Sequence, residues 1–406
     1  MRLKIRYIIL SLILILRFES SASELDSLLT WSAKNHPELK SAYLAYEASL
    51  QKVHGSGFLP EPMFSFGYFI SSPETRVGPQ NGSIGFQQMF PWRGTLKAQK
   101  SMAVAESKMK FEKFQLLKLQ LFQEVKELYY SAEQMDVNVG LLEQNIALLN
   151  QIKTIGLSKI EAGIGSTTDV LRLNLKINEL ESKSDIAKIH YRGKLDQLKL
   201  VTGRDSLLLM FPPLTSEESS DSVTIKNHPM VKLSEEKLAM NEAQKTIIAQ
   251  KGLPKFAVGA NYVFVGERTD MNPVDNGKDI FMPKVSLTLP IYRKKYKSLT
   301  RMNELERESI EEEIKGKELD LNSKLVMVQT QIQSAKECIE LNRKQKETAL
   351  SILEVLKSDY ENGNAMVESI FTTQAQLIMY QMEEQKALTD LRIAQSKLAF
   401  ILNKGI

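Results

Sequence analysis

Few residues of this chain have the type and spacing to do chemistry. Its four histidines (His36, His54, His190 and His228) never fall at the short intervals a metal site needs. Two of them share a motif, Asn-His-Pro, beginning at Asn35 and again at Asn227. That motif reads as a helix start, with proline at the first helical position and a polar cap before it. The single cysteine, Cys338, lies in a helical pattern, so no cysteine–histidine pair and no internal disulfide framework is available. No phosphate-binding loop or nucleophile motif occurs. Carboxylate runs such as "ERESIEEEIKGKE" have the charge interleaving of a solvated helix face. The expectation is a protein that is not an enzyme and has no cofactor and no metal. One carboxylate stands at a special place: Asp169, in "AGIGSTTDV", three residues after Ser166. Here Gly163 suits a left-handed helix stop and Ser166 a helix start, which sets Asp169 near a positive helix terminus.

The elements that would position such residues follow from composition and pattern. Of 406 residues 25% are charged, yet the formal balance is only +4, too small and too interspersed with glutamate to suggest nucleic acid. Glycine and proline are sparse, which favours long helices over a turn-rich β fold. At the start, Arg2, Lys4 and Arg6 precede an apolar run from Tyr7 to Leu16, and Ser21-Ala22-Ser23 offers a cleavage site. This is the pattern of a secretory signal peptide over residues 1–23. No later apolar run has the length of a spanning helix, so any membrane crossing must be made by a β-barrel.

The chain says everything twice. After each Asn-His-Pro comes a helical segment, then Leu-Pro (Leu59-Pro60 and Leu253-Pro254), two strand-like stretches and a helical hairpin with a glycine-containing break. The breaks centre on Gly163 and Gly363. Two repeats are expected. The first covers 24–215, with strands near 61–70 and 82–91 and a helical hairpin near 95–202. The second covers 216–406, with strands near 255–265 and 282–292 and a hairpin near 297–403. The strands alternate: Phe64, Phe66 and Tyr68 oppose Ser65 and Gly67, and Phe256, Val258, Tyr262 and Phe264 oppose Gly259 and Asn261. Such strands, about nine to eleven residues long, match a tilted bilayer crossing with an apolar outer face. Four strands cannot close a membrane barrel and open edges are not viable in lipid, so several chains must contribute to one barrel. In the first long helix Leu121, Val125, Leu128, Ala132, Met135, Val139, Leu142, Ile146 and Leu149 step by four and three, a heptad seam. The second copy keeps that seam from Leu321 and weakens at Asn342 and Lys346. A soluble periplasmic coiled-coil adaptor or scaffold, its strands folded into a small sheet, is the alternative these patterns leave open.

Signal peptide, duplicated strand pairs and the hairpin tips "EAGIGSTTDVL" and "ENGNAMVESIF" together resemble the TolC-type outer-membrane efflux proteins over nearly the whole mature chain. The junction "FPWRG" looks like the heavy-metal-efflux branch of that family. The resemblance implies a mainly α fold with a transmembrane β part: a homotrimer forming a twelve-stranded barrel in outer-membrane lipid, on a long α-helical periplasmic tunnel. It implies an exit duct, with a periplasmic adaptor protein and an inner-membrane pump as partners. Adaptor contact and entrance would fall on Gly163, Thr168, Asp169 and Val170, and on Gly363, Glu368 and Ser369. The barrel-to-tunnel junction would be Pro91, Trp92, Arg93 and Gly94, with Pro290 and Tyr292. Some members ring the pore with aspartates from the second tip. Here Ser369 and Thr372 take those positions, which leaves Glu368 and Asp169 as partial replacements.

Overall fold

The computed structural model describes residues 24–204, 225–362, 364 and 366–404, so the signal-peptide expectation and Gly363 lie outside the described residues. In chain order the elements are α1 (Glu24–Asn35), α2 (Pro37–His54), β1 (Met63–Tyr68), β2 (Glu74–Thr75), β3 (Gly78–Phe90), α3 (Thr95–Glu161) and α4 (Thr167–Thr202). A 3-10 turn (Ile225–Asn227) then leads to α5 (Pro229–Lys251), β4 (Lys255–Val265), β5 (Ile280–Thr288), α6 (Arg293–Glu361) and α7 (Val367–Ile401). Both Asn-His-Pro motifs place their proline at the first position of a helix, where its missing amide hydrogen and fixed φ do no harm. By its contacts the chain forms two compact units, and each draws on both halves of the sequence.

One unit comprises residues 42–114 and 229–318 and contains the sheet. Its order is β1-β3-β4-β5, antiparallel throughout, with the short β2 added on β3. The central pairing, β3 with β4, joins a strand of each repeat. Register stacks Phe64 on Phe86, Ile84 on Tyr262, Phe90 on Phe256 and Tyr262 on Phe281, so one face is apolar across all four long strands. That face is bare: Phe66 and Tyr68 are each 82% exposed, and Phe281, Val285 and Leu287 are exposed as well. The other face carries small and polar residues, among them Ser65, Gly85, Gly259, Asn261 and Ser286. Glycine is required at 259, because a Cβ there would lie 2.3 Å from the Phe86 carbonyl oxygen, backbone that cannot rotate away.

The segment "GPQNG", which reads as a loop, is instead the start of β3. Long-range bonding overrides its turn-forming composition: the amide of Gly266 donates to the Pro79 carbonyl (2.8 Å) and that of Gly277 to the Val77 carbonyl (2.6 Å). β5 stops at Thr288, ahead of Pro290, which has no amide hydrogen to give a ladder.

The other unit, the described residues of 24–41, 115–228 and 319–404, is all helical. Its main core joins Leu142, Leu149 and Ile152 of α3 with Leu173, Ile177 and Leu180 of α4, Leu353 and Tyr360 of α6, and Ile370 and Leu377 of α7. The α3 seam drifts from strict heptads: Leu128, Met135 and Val139 are only half-buried, while Tyr129, Ala132 and Glu133 are buried. A straight helix of 3.6 residues per turn rotates its apolar stripe away from a 3.5 repeat, and this does so. His228 is fully buried with its ring edge-on to Phe400, centroids 5.2 Å apart. Burial pushes its pKa down to about 4, against a backbone hydrogen bond to Phe400 that raises it, so the ring is neutral.

That depressed value makes stability depend on pH. Between about 6.5 and 4 the unfolded chain binds a proton that the folded chain refuses, so this contribution is complete above about pH 6.5 and lost as pH falls toward 4. The upper limit is about 3 kcal/mol. Urea midpoints measured at pH 7 and pH 4.5 should differ more in the parent than in His228→Leu. Equal differences would show that the imidazole does not titrate in this window.

Candidate functional site

The two hairpin tips come together, and their geometry repeats. In the first, Gly163 has φ +74° and its amide donates to the Ile160 carbonyl, while that of Ile164 donates to the Lys159 carbonyl. This is a Schellman stop, which needs a residue tolerant of the left-handed region. Ser166 is the N-cap in extended conformation, but its hydroxyl makes no cap bond, so the expected capping is positional only. The amide of Asp169 donates to the Ser166 carbonyl at 3.2 Å, and in the second tip the amide of Ser369 donates to the Met366 carbonyl at 3.2 Å. Asp169 and Ser369 are therefore equivalent positions of the two copies. The turn leaving α6 closes with the Asn364 amide on the Asp359 carbonyl at 2.8 Å.

Three interactions stitch the tips to each other. Arg172 of α4 donates to Glu368 of α7 at 2.8 Å, both side chains more than half exposed. Lys159 at the end of α3 donates to the Tyr360 carbonyl at 2.5 Å, with its ammonium 4.5 Å from the centre of the Tyr360 ring. Tyr360 itself is buried, and burial together with the negative charge of Asp169 raises its phenol pKa. Thr168, Glu368 and Ser369 are exposed and Asp169 is half-buried, so these four can meet a partner. Val170, expected to face outward, is buried instead.

The sequence reading missed Arg172, Lys159 and Tyr360, because pairings some two hundred residues apart leave no local signal. It also passed over Gly165, where a Cβ would sit 2.4 Å from the Ile160 backbone nitrogen. The weakening of the seam at Asn342 and Lys346 does have a structural counterpart. Lys346 bonds the buried Glu384 at 2.6 Å, with Arg343 at 3.5 Å on its other oxygen. A second pair, Arg392 with Glu133, is also largely buried, and the Arg392 guanidinium lies 5.3 Å from the Tyr130 ring centre.

The strand-to-helix joint holds the other expected residues. Gly94 has φ +93°, and a Cβ there would meet Gln250 Nε2 at 2.9 Å. That amide donates to the Arg93 carbonyl at 3.1 Å, and the Thr95 hydroxyl donates to Gln250 Oε1, which ties the turn after β3 to the end of α5. Pro91 and Pro290 are half-buried, while Trp92 and Tyr292 are exposed. Among the described residues no cluster of three His, Cys, Asp or Glu side chains could hold a metal ion. No described helix is long and apolar enough to cross a membrane.

No protein-family model matches the chain, and no curated protein matches its sequence. Solved structures do match its fold. The outer membrane protein VceC of Vibrio cholerae is 14% identical with a TM-score of 0.77, the match covering 94% of this chain and 96% of that one. CusC, solved in a study of transmembrane channel formation, is 13% identical with a TM-score of 0.78, covering 94% and 92%. The CmeC outer membrane channel of Campylobacter jejuni is 14% identical with a TM-score of 0.76, covering 93% and 85%. The chain has the fold of these outer-membrane channels over nearly its whole length.

Gly165→Ala should lower stability by about 1–3 kcal/mol, since the added methyl meets backbone that must shift. Gly140→Ala, in α3 with open space around it, should instead raise stability by up to about 1 kcal/mol. Urea unfolding of both variants tests the pair. A neutral Gly165→Ala would mean that the tip turn relaxes freely.

Proposed function

We propose that the chain is an outer-membrane exit duct of a tripartite efflux or secretion system. It conducts substrate passively and catalyses nothing, with the energy supplied by an inner-membrane pump reached through a periplasmic adaptor. The observation that carries this reading is the sheet. Its apolar face is open across four strands, its opposite face is mainly small and polar, with Met63, Met89, Met282 and two valines among its residues, and among the described residues β1 and β5 each leave one edge unpaired. Lipid suits the first face and water the second, but unpaired backbone beside hydrocarbon is prohibitive. Three copies, pairing β5 of one with β1 of the next, satisfy every edge in a twelve-stranded barrel. The outer-membrane channels that share the fold support the same architecture and location, with the strands in the outer membrane and the helices in the periplasm.

The helical unit supports assembly as well. Along α4, Leu171, Leu175, Ile186, Ile189 and Leu200 are exposed, and along α6 so are Leu319, Val326, Leu341, Ile352 and Val355. Two bare apolar stripes on different helices suit head-to-tail packing around a ring, each stripe covered by the next copy. In this reading the tips, with Thr168, Asp169, Glu368, Ser369 and the glycines Gly163 and Gly363, form the adaptor contact and the entrance. Pro91, Trp92, Arg93, Gly94, Pro290 and Tyr292 turn the barrel into the tunnel.

The mature chain should leave membranes only with detergent and run as a trimer in native mass measurements. A monomer or dimer soluble in plain buffer would sink the barrel and favour a periplasmic scaffold. Asp169→Lys and Glu368→Lys should change single-channel conductance in planar bilayers while expression holds. Parent-like conductance in both variants would remove these residues from the entrance.

A further inference from the structure

The segments where strands meet helices are strongly basic. Residues 91–100 hold three cations beginning at Arg93, 251–255 hold Lys251 and Lys255, and 293–297 hold four, from Arg293 to Lys297. The only carboxylate in these segments and the neighbouring 55–61 loop is Glu61. Nine cations against one carboxylate, in a chain whose whole balance is +4, leave the rest of the sequence net negative. All nine are exposed except Lys255, which is half-exposed. None has an ion-pair partner among the described residues, whereas neighbouring helical cations do: Lys52 with Glu106, Lys237 with Glu313, and Arg301 with Glu304. At the far end of β4 the loop charges are mixed and paired, Arg268 with Asp270 and Lys278 with Asp275.

Two further facts set the kind of partner. First, the cations begin where the bare apolar sheet face ends: Lys255 opens β4, and Arg293 comes five residues after the last residue of β5. Exposed Trp92 and Tyr292, whose amphipathic rings settle at a membrane–water boundary, lie among them together with exposed Phe58. Second, α3 and α6, the helices that leave the sheet, have no acidic residue in their first turn, and α6 begins Arg-Lys-Lys. Cations at the positive end of a helix dipole are unfavourable by themselves and become favourable once anions neutralise them.

We propose that this basic collar binds anionic phospholipid headgroups of the leaflet facing the periplasm. The inference rests on the membrane-barrel reading above. The lysine and arginine stems lie along the last apolar residues and extend their charges to the phosphates, and the aromatic rings sit at the same depth. An acidic protein surface would match the charge but would not account for bare tryptophan, tyrosine and phenylalanine beside it.

The test titrates phosphatidylglycerol or phosphatidylcholine into the detergent-solubilised full mature chain and counts bound lipids by native mass spectrometry. One variant replaces Arg293, Lys294, Lys295 and Lys297 by glutamine. A control variant replaces the tunnel cations Lys315, Lys324, Lys344 and Lys386 in the same way, each already held by a neighbouring carboxylate. Phosphatidylglycerol should bind the parent and the control about tenfold more tightly than phosphatidylcholine. The preference should shrink severalfold in the collar variant, and likewise in the parent at high salt. Equal binding of the two lipids, or an unchanged preference in the collar variant, overturns the inference. A chain that needs no detergent sinks the barrel reading itself, whereas a detergent-dependent trimer without lipid preference sinks only the collar.

Discussion

Unpaired backbone at the rims of the sheet is the constraint on which the rest depends. β1 offers one side to β3 and β5 one side to β4, and each has a second side with no partner among the described residues. In water such edges would invite aggregation, and native proteins usually blunt them with charge, proline or cover. Here the flanking face is bare phenylalanine, tyrosine and leucine, and β5 carries Pro283 within its ladder, paired with Ala260. An apolar face with open edges is costly in water, and further strand pairing would relieve it. The helices leave apolar surface uncovered as well, along α4 and α6.

The helices themselves are held mainly by apolar burial. Many ion pairs on their surfaces link residues three or four apart with both side chains exposed, as in Lys183 with Glu179 or Lys324 with Asp320, and such pairs add little. The buried exceptions differ in kind. Glu384 and Glu133 are taken out of water and answered by Lys346 with Arg343 and by Arg392. Removing one partner would leave an uncompensated buried charge, so breaking these pairs costs more than forming them gains. Asn145 and Gln374, joined across α3 and α7 at 3.2 Å in the same core, do similar work without charge.

What could be read in the sequence was whatever is local. Strict alternation marked Phe64 to Tyr68 and Phe256 to Phe264 as one-faced strands, and Asn-His-Pro marked two helix starts. Gly163 was legible because only a left-handed stop explains it there. What stayed hidden depends on partners distant in sequence. Gly78 to Gly82 look like a turn until they pair with residues near Gly266, and His228 looks like a cap until Phe400 covers it. The hairpin tips were half legible: Asp169 and Glu368 stood out by position, but the pairing of Arg172 with Glu368 and the burial of Val170 did not. Two halves in sequence also became two units in space that each use both halves, a rearrangement no repeat search can anticipate.

The pairing of β3 with β4 has a consequence for biogenesis. The first repeat cannot finish its sheet by itself, because the neighbour of β3 lies beyond two long helices and is synthesised late. Until that strand arrives, β1 and β3 form a sticky aromatic ribbon, and after it arrives β1 and β5 still have open outer edges among the described residues. Helices with near-neighbour contacts form quickly, whereas this sheet must wait for the far part of its own chain. Until β4 is made, the most apolar surface of the chain stays bare, and the order of its elements fixes how long that lasts.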